Sequence, residues 1–385
     1  MPAPVPVTRL PRVGTTIFTV MSQLALEHRA VNTGQGFPDF EPPERLRELV
    51  CTNLAARHNQ YAPMAGALSL RRAIAAKVER HYGRHVCSDT EVTVTCGGTE
   101  ALACSIQALV HPGDEVVLFE PAYDSYQPIV ELCGGVVRRV PLLRPEFAID
   151  WQRFEETVND RTRLVIVNTP HNPSGACLSG ADLDRLAAAL RGSAAFVLAD
   201  EVYEHMVFDG TAHVSLNGHA ELAARSVVAS SFGKTYHATG WKIGYCVAPA
   251  PLTVELRKVH QFLTFAIATP LQHAIADFMD ERPEWEDELP AFYQAKRDRL
   301  AALLAPSRLG LVPARSTYFQ LVDYSAISAL ADTEFSMQLI RTIGVATIPV
   351  SPFCAHAPPG ERLVRLCFAK EDATLVAAAE RLARL

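Results

Sequence analysis

The sequence predicts an α/β fold in which a large domain, built on a mostly parallel sheet flanked by helices, joins a smaller α+β domain. Three observations lead there. Between residues 91 and 249, short apolar runs alternate with segments of helical periodicity, the pattern of a parallel sheet with helical crossovers. Several of those runs are strand-forming at every position, as in strands covered on both faces. At 385 residues the chain is too long for one small core and suits two packed units.

Residues 1–40 read as irregular, with turn formers clustered from Asn32 to Pro43. They are expected to form an arm that crosses a partner subunit and part of the small domain. A helical segment runs from Pro43 to His58, and another, Leu68 to Tyr82, carries Leu70, Ile74 and Val78 at helical spacing. Glu91–Cys96 is strand-like and is followed by a helix with Leu102, Ile106, Leu109 and Val110 on one side. Further strands are expected at Glu115–Glu120, Val136–Leu142, Arg163–Asn168, Ala195–Asp200, Ser226–Ser231 and Tyr245–Pro249. Beyond about residue 252 come three helical stretches to Leu304, a strand Thr317–Val322, a helix, a strand Leu363–Phe368 and a final helix to Leu385. The expected domain ranges are 1–40, 41–285 and 286–385.

Composition narrows the class. Hydrophobic residues at 49% and charged residues at 20% are globular values. The net charge of −6 is spread along the chain, and no basic block offers a track for a phosphate backbone, so nucleic acid is not an expected partner. Nine scattered cysteines without a CxxC pair read as reduced thiols of a cytoplasmic protein. Met1–Leu10 has no apolar core flanked by Lys or Arg, so no signal peptide is expected. No apolar run reaches the roughly 18 residues of a membrane helix.

Five segments carry chemistry, four of them at the ends of expected strands, where open parallel sheets place ligands. In Cys96–Leu102, CGGTEAL, two glycines turn a strand into a helix. Gly98 and Thr99 there make an anion site from backbone N–H groups and the helix dipole, or a plain capped turn. In Asn168–Gly175, NTPHNPSG, Asn172 precedes a proline that fixes the backbone, as a held donor or as an ordinary Asn-Pro turn. Ala195–His205 delivers Asp200 at a strand end. A carboxylate there needs a positive partner, such as a pyridinium nitrogen or a magnesium ion, unless it caps a helix. Ser230–Tyr245, SSFGKTYHATGWKIGY, brings Ser231 and Lys234 after a strand, with Lys242 eight residues on. A lysine in such a turn can form an imine with an aldehyde cofactor, or can be an ordinary surface lysine. Arg365 lies in the strand-like run RLVRLCFAK. Its planar fork matches a substrate carboxylate, or an internal salt bridge.

Their order resembles the fold-type-I class I/II aminotransferases from Gly34-Gln35-Gly36-Phe37-Pro38-Asp39 to the final helix, nearly the whole chain. QGFPDF, NQYAPMAG, GKTYHATGWK and LCFAKEDATL are similar to the methionine/kynurenine/glutamine aminotransferase branch. The resemblance implies pyridoxal 5′-phosphate as cofactor, with Lys234 as the Schiff-base lysine that also moves the α-proton. It implies Asp200 at the pyridine nitrogen, Tyr203 and Asn172 at the phenolate oxygen, and Tyr123 stacked on the ring. Gly98, Thr99, Ser231 and Lys242 match the phosphate cup, and Tyr61 a tyrosine reaching the phosphate from a neighbouring subunit. Arg365, Asn172 and the Gly36 backbone match the α-carboxylate clamp. Lys242 stands where many relatives carry arginine, and Tyr123 where others carry Trp or Phe, which could loosen cofactor binding.

Phe18, Phe37, Tyr61 and Phe265 resemble the side-chain pocket. No second arginine in these motifs awaits a distal carboxylate. That favours methionine, aromatic, glutamine or kynurenine donors over aspartate, with a 2-oxo acid as acceptor. The resemblance further implies a homodimer with shared active sites, in which Tyr61, Phe18 and Phe265 act across the interface. Two other readings compete: a C–S β-lyase on the same cofactor, tested by pyruvate and ammonia release, and an aminotransferase-like ligand-binding regulator, which needs an added DNA-binding module.

Overall fold

The computed structural model describes residues 7–385. Its first strand, β1 (Val31–Asn32), is short. The next seven form one sheet: β2 (Val92–Thr95), β3 (Glu115–Glu120), β4 (Val136–Pro141), β5 (Thr162–Asn168), β6 (Phe196–Asp200), β7 (Ser226–Ser231) and β8 (Gly244–Val247). The remaining strands are β9 (Gly310–Leu311), β10 (Phe319–Asp323), β11 (Val345–Ala346), β12 (Ile348–Pro349) and β13 (Leu363–Cys367).

The large sheet has the order β2-β8-β7-β6-β5-β3-β4. It is parallel except for β8, which runs antiparallel to both β2 and β7. Strands β2, β3, β7 and β8 are buried at every residue, which explains why they are apolar or small between their ends, with β3 bounded by two buried glutamates. Edge strand β4 alternates exposed residues with half-buried ones and the buried Val140, and carries Arg138 and Arg139, charges that keep an edge from pairing with another sheet. Asn168 and Asp200 are register partners at the ends of β5 and β6, and Ser231 ends β7. Three of the expected site segments therefore leave the sheet side by side.

A second sheet, β12-β13-β10-β9, is antiparallel. Arg365 in β13 sits between Leu321 of β10 and Ile348 of β12. Helices Trp285–Leu304 and Asp372–Leu382 bury Leu289, Tyr293, Leu300, Leu375 and Leu382 in one apolar cluster with Phe319, Val364 and Leu366 of this sheet. Tyr203, Met206 and Phe208, just past the large sheet, enter the same cluster and lock the two layers together. β1 pairs in parallel with β11, so the start of the chain joins its C-terminal part.

Two expectations are corrected. The reading of residues 1–40 as irregular misses a helix, Ile17–Glu27, capped by Thr16, whose side chain accepts from the Thr19 N–H. Met21 and Ala25 pack it against Ile340, Ala346, Ile348 and Phe353 of the same chain. The strand expected from Thr317 starts at Phe319 instead. Thr317 takes φ 64°, a left-handed conformation that is unusual for a β-branched residue. Its N–H donates to the Met206 carbonyl at 2.8 Å and its Oγ1 accepts from Phe319, which turns the chain into β10. Among the described residues no helix is long and apolar enough to cross a membrane, and the nine cysteines are unpaired.

Candidate active site

A cavity of about 150 Å³ opens at the ends of β5, β6 and β7. Gly98, Thr99, Tyr123, Asn172, Asp200, Tyr203, Ser231, Lys234 and Lys242 line it, so residues from five separate sequence segments converge on one space.

One wall is the start of helix Gly97–Leu109. Gly97 adopts φ 68°, and a Cβ on Gly98 would come within 2.9 Å of Val202 Cγ1. The helix has no side-chain cap at its N-terminus, so its first N–H groups remain available to an anion. Lys242 reaches this turn. It holds a left-handed conformation, φ 54°, and its Nζ would lie 3.3 Å from a Cβ built on Gly97.

Asp200 stands opposite, buried. Its Oδ2 accepts from the Tyr126 hydroxyl at 2.6 Å. Burial pushes its pKa up to about 6, and the Tyr126 hydrogen bond limits the rise. Lys234 lies between the two walls. Its Nζ donates to the Gly36 carbonyl at 3.2 Å and lies 5.6 and 5.5 Å from the ring centres of Tyr203 and Tyr318. Burial, with the positive charges of Lys242 and Arg365, brings its pKa down to about 8 against an opposing pull from Cys367. Burial also raises the Tyr203 and Tyr123 phenols, Tyr123 to about 12, so both stay protonated donors.

Arg365 closes the third side and is 1% exposed. Its Nη1 donates to Asn172 Oδ1 at 2.6 Å and its Nη2 to the Gly34 carbonyl at 3.1 Å, while the buried Nε has no partner. Because Arg365 only donates, the Asn172 amide oxygen must face it, which leaves the Asn172 NH₂ free to donate elsewhere. The guanidinium lies 3.8 Å from the Phe319 ring centre, 5.4 Å from that of Phe18 and 5.6 Å from that of Phe353. Gly36 sits close by: a Cβ there would meet Phe319 at 2.9 Å and Arg365 at 3.7 Å.

Three expected residues lie elsewhere. Phe37 is half-exposed beside Lys370, in a shallow groove with Val31, Gln35 and Asp39, outside the cavity. Tyr61 and Phe265 meet edge-on at 5.5 Å on the surface, 83% and 47% exposed. Phe18, expected to act across a subunit interface, instead stands beside Arg365 of its own chain, because helix Ile17–Glu27 docks there.

Sequence reading missed Tyr126, Asn168, Val202, Thr239 and Tyr318. Asn168 ends its strand in register with Asp200, a signal that could have found it. Its Oδ1 accepts the Asn172 N–H at 2.8 Å. Tyr318 carried no local signal, yet its hydroxyl donates to the same Gly36 carbonyl as Lys234, at 2.6 Å.

These residues fit pyridoxal phosphate. A glycine turn at a helix start with Lys242 suits the phosphate, the buried Asp200 suits a protonated ring nitrogen, and the buried amine of Lys234 suits the aldehyde. Comparison with known proteins agrees. The family described as aminotransferase class I and II matches residues 29–382. A methionine aminotransferase of Escherichia coli K12 is 53% identical over 381 residues, covering 99% of this chain and 98% of that protein. A solved E. coli structure, described as identifying a methionine aminotransferase function, superposes with a TM-score of 0.97 at 53% identity and covers both chains completely. A probable N-succinyldiaminopimelate aminotransferase of Mycobacterium tuberculosis is 41% identical over 390 residues, covering 98% of each. The chain belongs to the class I and II aminotransferases, the pyridoxal-phosphate enzymes that exchange an amino group between an amino acid and a 2-oxo acid.

Proposed function

We propose that this aminotransferase takes its amino group from a neutral amino acid of methionine, aromatic, glutamine or kynurenine type, as a homodimer with shared sites. One observation carries the donor class. Phe18, Phe319 and Phe353 ring the guanidinium of Arg365, while the cations on the cavity wall are Lys234 and Lys242, both engaged at the cofactor in this reading. Among the described lining residues no further cation remains for a distal carboxylate. The E. coli relative's named activity on methionine supports this. Family membership alone does not, since the M. tuberculosis relative at 41% identity is named for a different donor.

In this reading Arg365 and Asn172 hold the substrate α-carboxylate, beside the Gly36 backbone. Gly98, Thr99, Ser231 and Lys242 hold the phosphate. Tyr203 and the Asn172 NH₂ donate to the phenolate oxygen, and Tyr123 stacks on the ring. When bound, pyridoxal phosphate supplies an electron-withdrawing ring that stabilises negative charge at the substrate α-carbon. Asp200, as a buried carboxylate that also accepts from the Tyr126 hydroxyl, keeps the ring nitrogen protonated. Lys234 takes the α-proton on Nζ as a neutral amine, which its pKa of about 8 makes accessible near neutral pH. The Gly36 carbonyl, 3.2 Å from Nζ, orients that amine between Tyr203 and Tyr318.

Tyr61, Phe262, Leu263 and Phe265 form an exposed apolar patch, which supports a second copy docking there with Tyr61 and Phe265 reaching its site. Phe37 belongs to the donor pocket only if the loop of Gly34–Asp39 shifts inward on binding. Boundaries near residues 40 and 285 are supported by β1 joining the C-terminal layer and by helix Trp285–Leu304 packing into it. Nine unpaired thiols support a reducing compartment, the cytoplasm.

The test is a panel of amino donors with one 2-oxo acid. Methionine and phenylalanine are expected to exceed aspartate in kcat/KM by about tenfold or more. Aspartate outrunning both would reject the donor class.

A further inference from the structure

A buried pair outside the cavity takes no part in the chemistry above. His260, 0% exposed, lies in helix Ala250–Leu263. Its Nδ1 is 2.8 Å from Glu100 Oε1, and its Nε2 is 2.9 Å from the Met64 carbonyl oxygen. A carboxylate and a carbonyl both accept, so the ring donates from both nitrogens. Glu100 follows Thr99 and also accepts the N–H of Cys96, so it brackets the Gly97–Gly98–Thr99 turn from both ends. Glu100, Cys104 and His260 have ligand-type atoms within 4.8 Å of one another. Both ring nitrogens of His260 are nevertheless committed to hydrogen bonds, which leaves no lone pair for a cation, and burial keeps the Cys104 thiol protonated.

The other end of the pair holds a different element. Met64 lies three residues after Tyr61. The Phe265 N–H donates to the His260 carbonyl at 3.1 Å, and Phe265 meets Tyr61 edge-on. Phe265 is held at φ 68°, a conformation that costs a non-glycine residue energy and persists only where its surroundings impose it. One histidine thus joins the surface pair Tyr61–Phe265 to the turn that receives an anion.

We propose that His260 and Glu100 are positioning residues that set the Cys96–Thr99 turn for the cofactor phosphate and, through the bond from His260 Nε2 to the Met64 carbonyl, hold the segment that carries Tyr61 for the site of a second copy. Cofactor retention at both sites of the dimer then depends on this one contact. The proposal rests on reading the turn as the phosphate site and Tyr61 as reaching across.

The experiment compares equilibrium binding of pyridoxal phosphate and of pyridoxal, which lacks the phosphate, to the apoenzyme, followed by absorbance. His260→Gln, Glu100→Gln and Ile106→Val are compared with wild type. Ile106 is buried in the same helix and controls for general loosening. Both pair variants are expected to bind pyridoxal phosphate about tenfold more weakly, since each removes a buried charge-assisted hydrogen bond. Pyridoxal binding, and kcat at saturating cofactor, should stay within about twofold. Ile106→Val should lower the thermal midpoint and leave both affinities alone. Equal weakening for both ligands, or unchanged phosphate-ligand affinity in a folded variant, overturns the proposal. Glu100→Gln, nearly isosteric, decides if His260→Gln does not fold. Wild type binding pyridoxal as tightly as pyridoxal phosphate would instead overturn the reading of the turn itself.

Discussion

Arg365→Lys separates the role of a shaped fork from that of a positive charge. The guanidinium is held in place before any substrate arrives: Asn172 Oδ1 is 2.6 Å from Nη1, the Gly34 carbonyl 3.1 Å from Nη2, and Phe319 lies 3.8 Å beneath. A fork fixed in advance loses little freedom when a carboxylate docks, so most of its interaction energy appears as affinity. Lysine keeps the charge and fits between Leu321 and Ile348, but it gives up the planar pair of donors and the grip on Asn172. One charge-assisted hydrogen bond is worth about 1.5–3 kcal/mol, which lowers kcat/KM about 10- to 150-fold. The loss should fall mainly on KM, because the carboxylate is held alike in ground and transition states. It should also be the same for methionine and phenylalanine, since the fork meets the part they share. The assay is steady-state kinetics with both donors, with the cofactor absorbance band as a check that the site is intact. A loss under about threefold, a loss confined to kcat, or a loss that depends on the donor side chain would refute the assignment.

Other outcomes follow from the same geometry. The rate of α-proton removal should rise as pH passes through about 8, where Lys234 loses its proton. A single-turnover pH profile checks this limb, and Lys234→Ala should lower the rate about 10³-fold or more and remove it. Gly98→Ala drives a methyl group to 2.9 Å from Val202 Cγ1, so it should weaken cofactor binding about tenfold. Adding Val202→Ala should recover most of that affinity. A double variant no better than the single one would show that the methyl group obstructs the phosphate itself.

Much of this protein follows from local pattern. The strands Glu115–Glu120 and Ser226–Ser231 lie at their expected positions, because runs buried on both faces leave a continuous apolar or small-residue stretch, Val116–Phe119 in the first and the whole of the second. Asp200, Asn172, Ser231 and Lys234 were legible for the same reason: each stands at or just beyond such a strand, where the end of the run marks the place. Helix Ile17–Glu27 was not legible, since its apolar stripe gains meaning only against Ile340 and Phe353, more than 300 positions later. The turn at Thr317 was missed because β-branched residues favour strands, and its hydrogen bond to Met206 overrides that preference. Tertiary structure alone decided that Arg365 meets Asn172 across 193 positions, that Tyr318 shares the Gly36 carbonyl with Lys234, and that Tyr61 and Phe265 stand together on the surface. A strand's burial is written in its own residues. Which side chains meet across the sheets depends on register and packing between distant segments, and no local pattern encodes that.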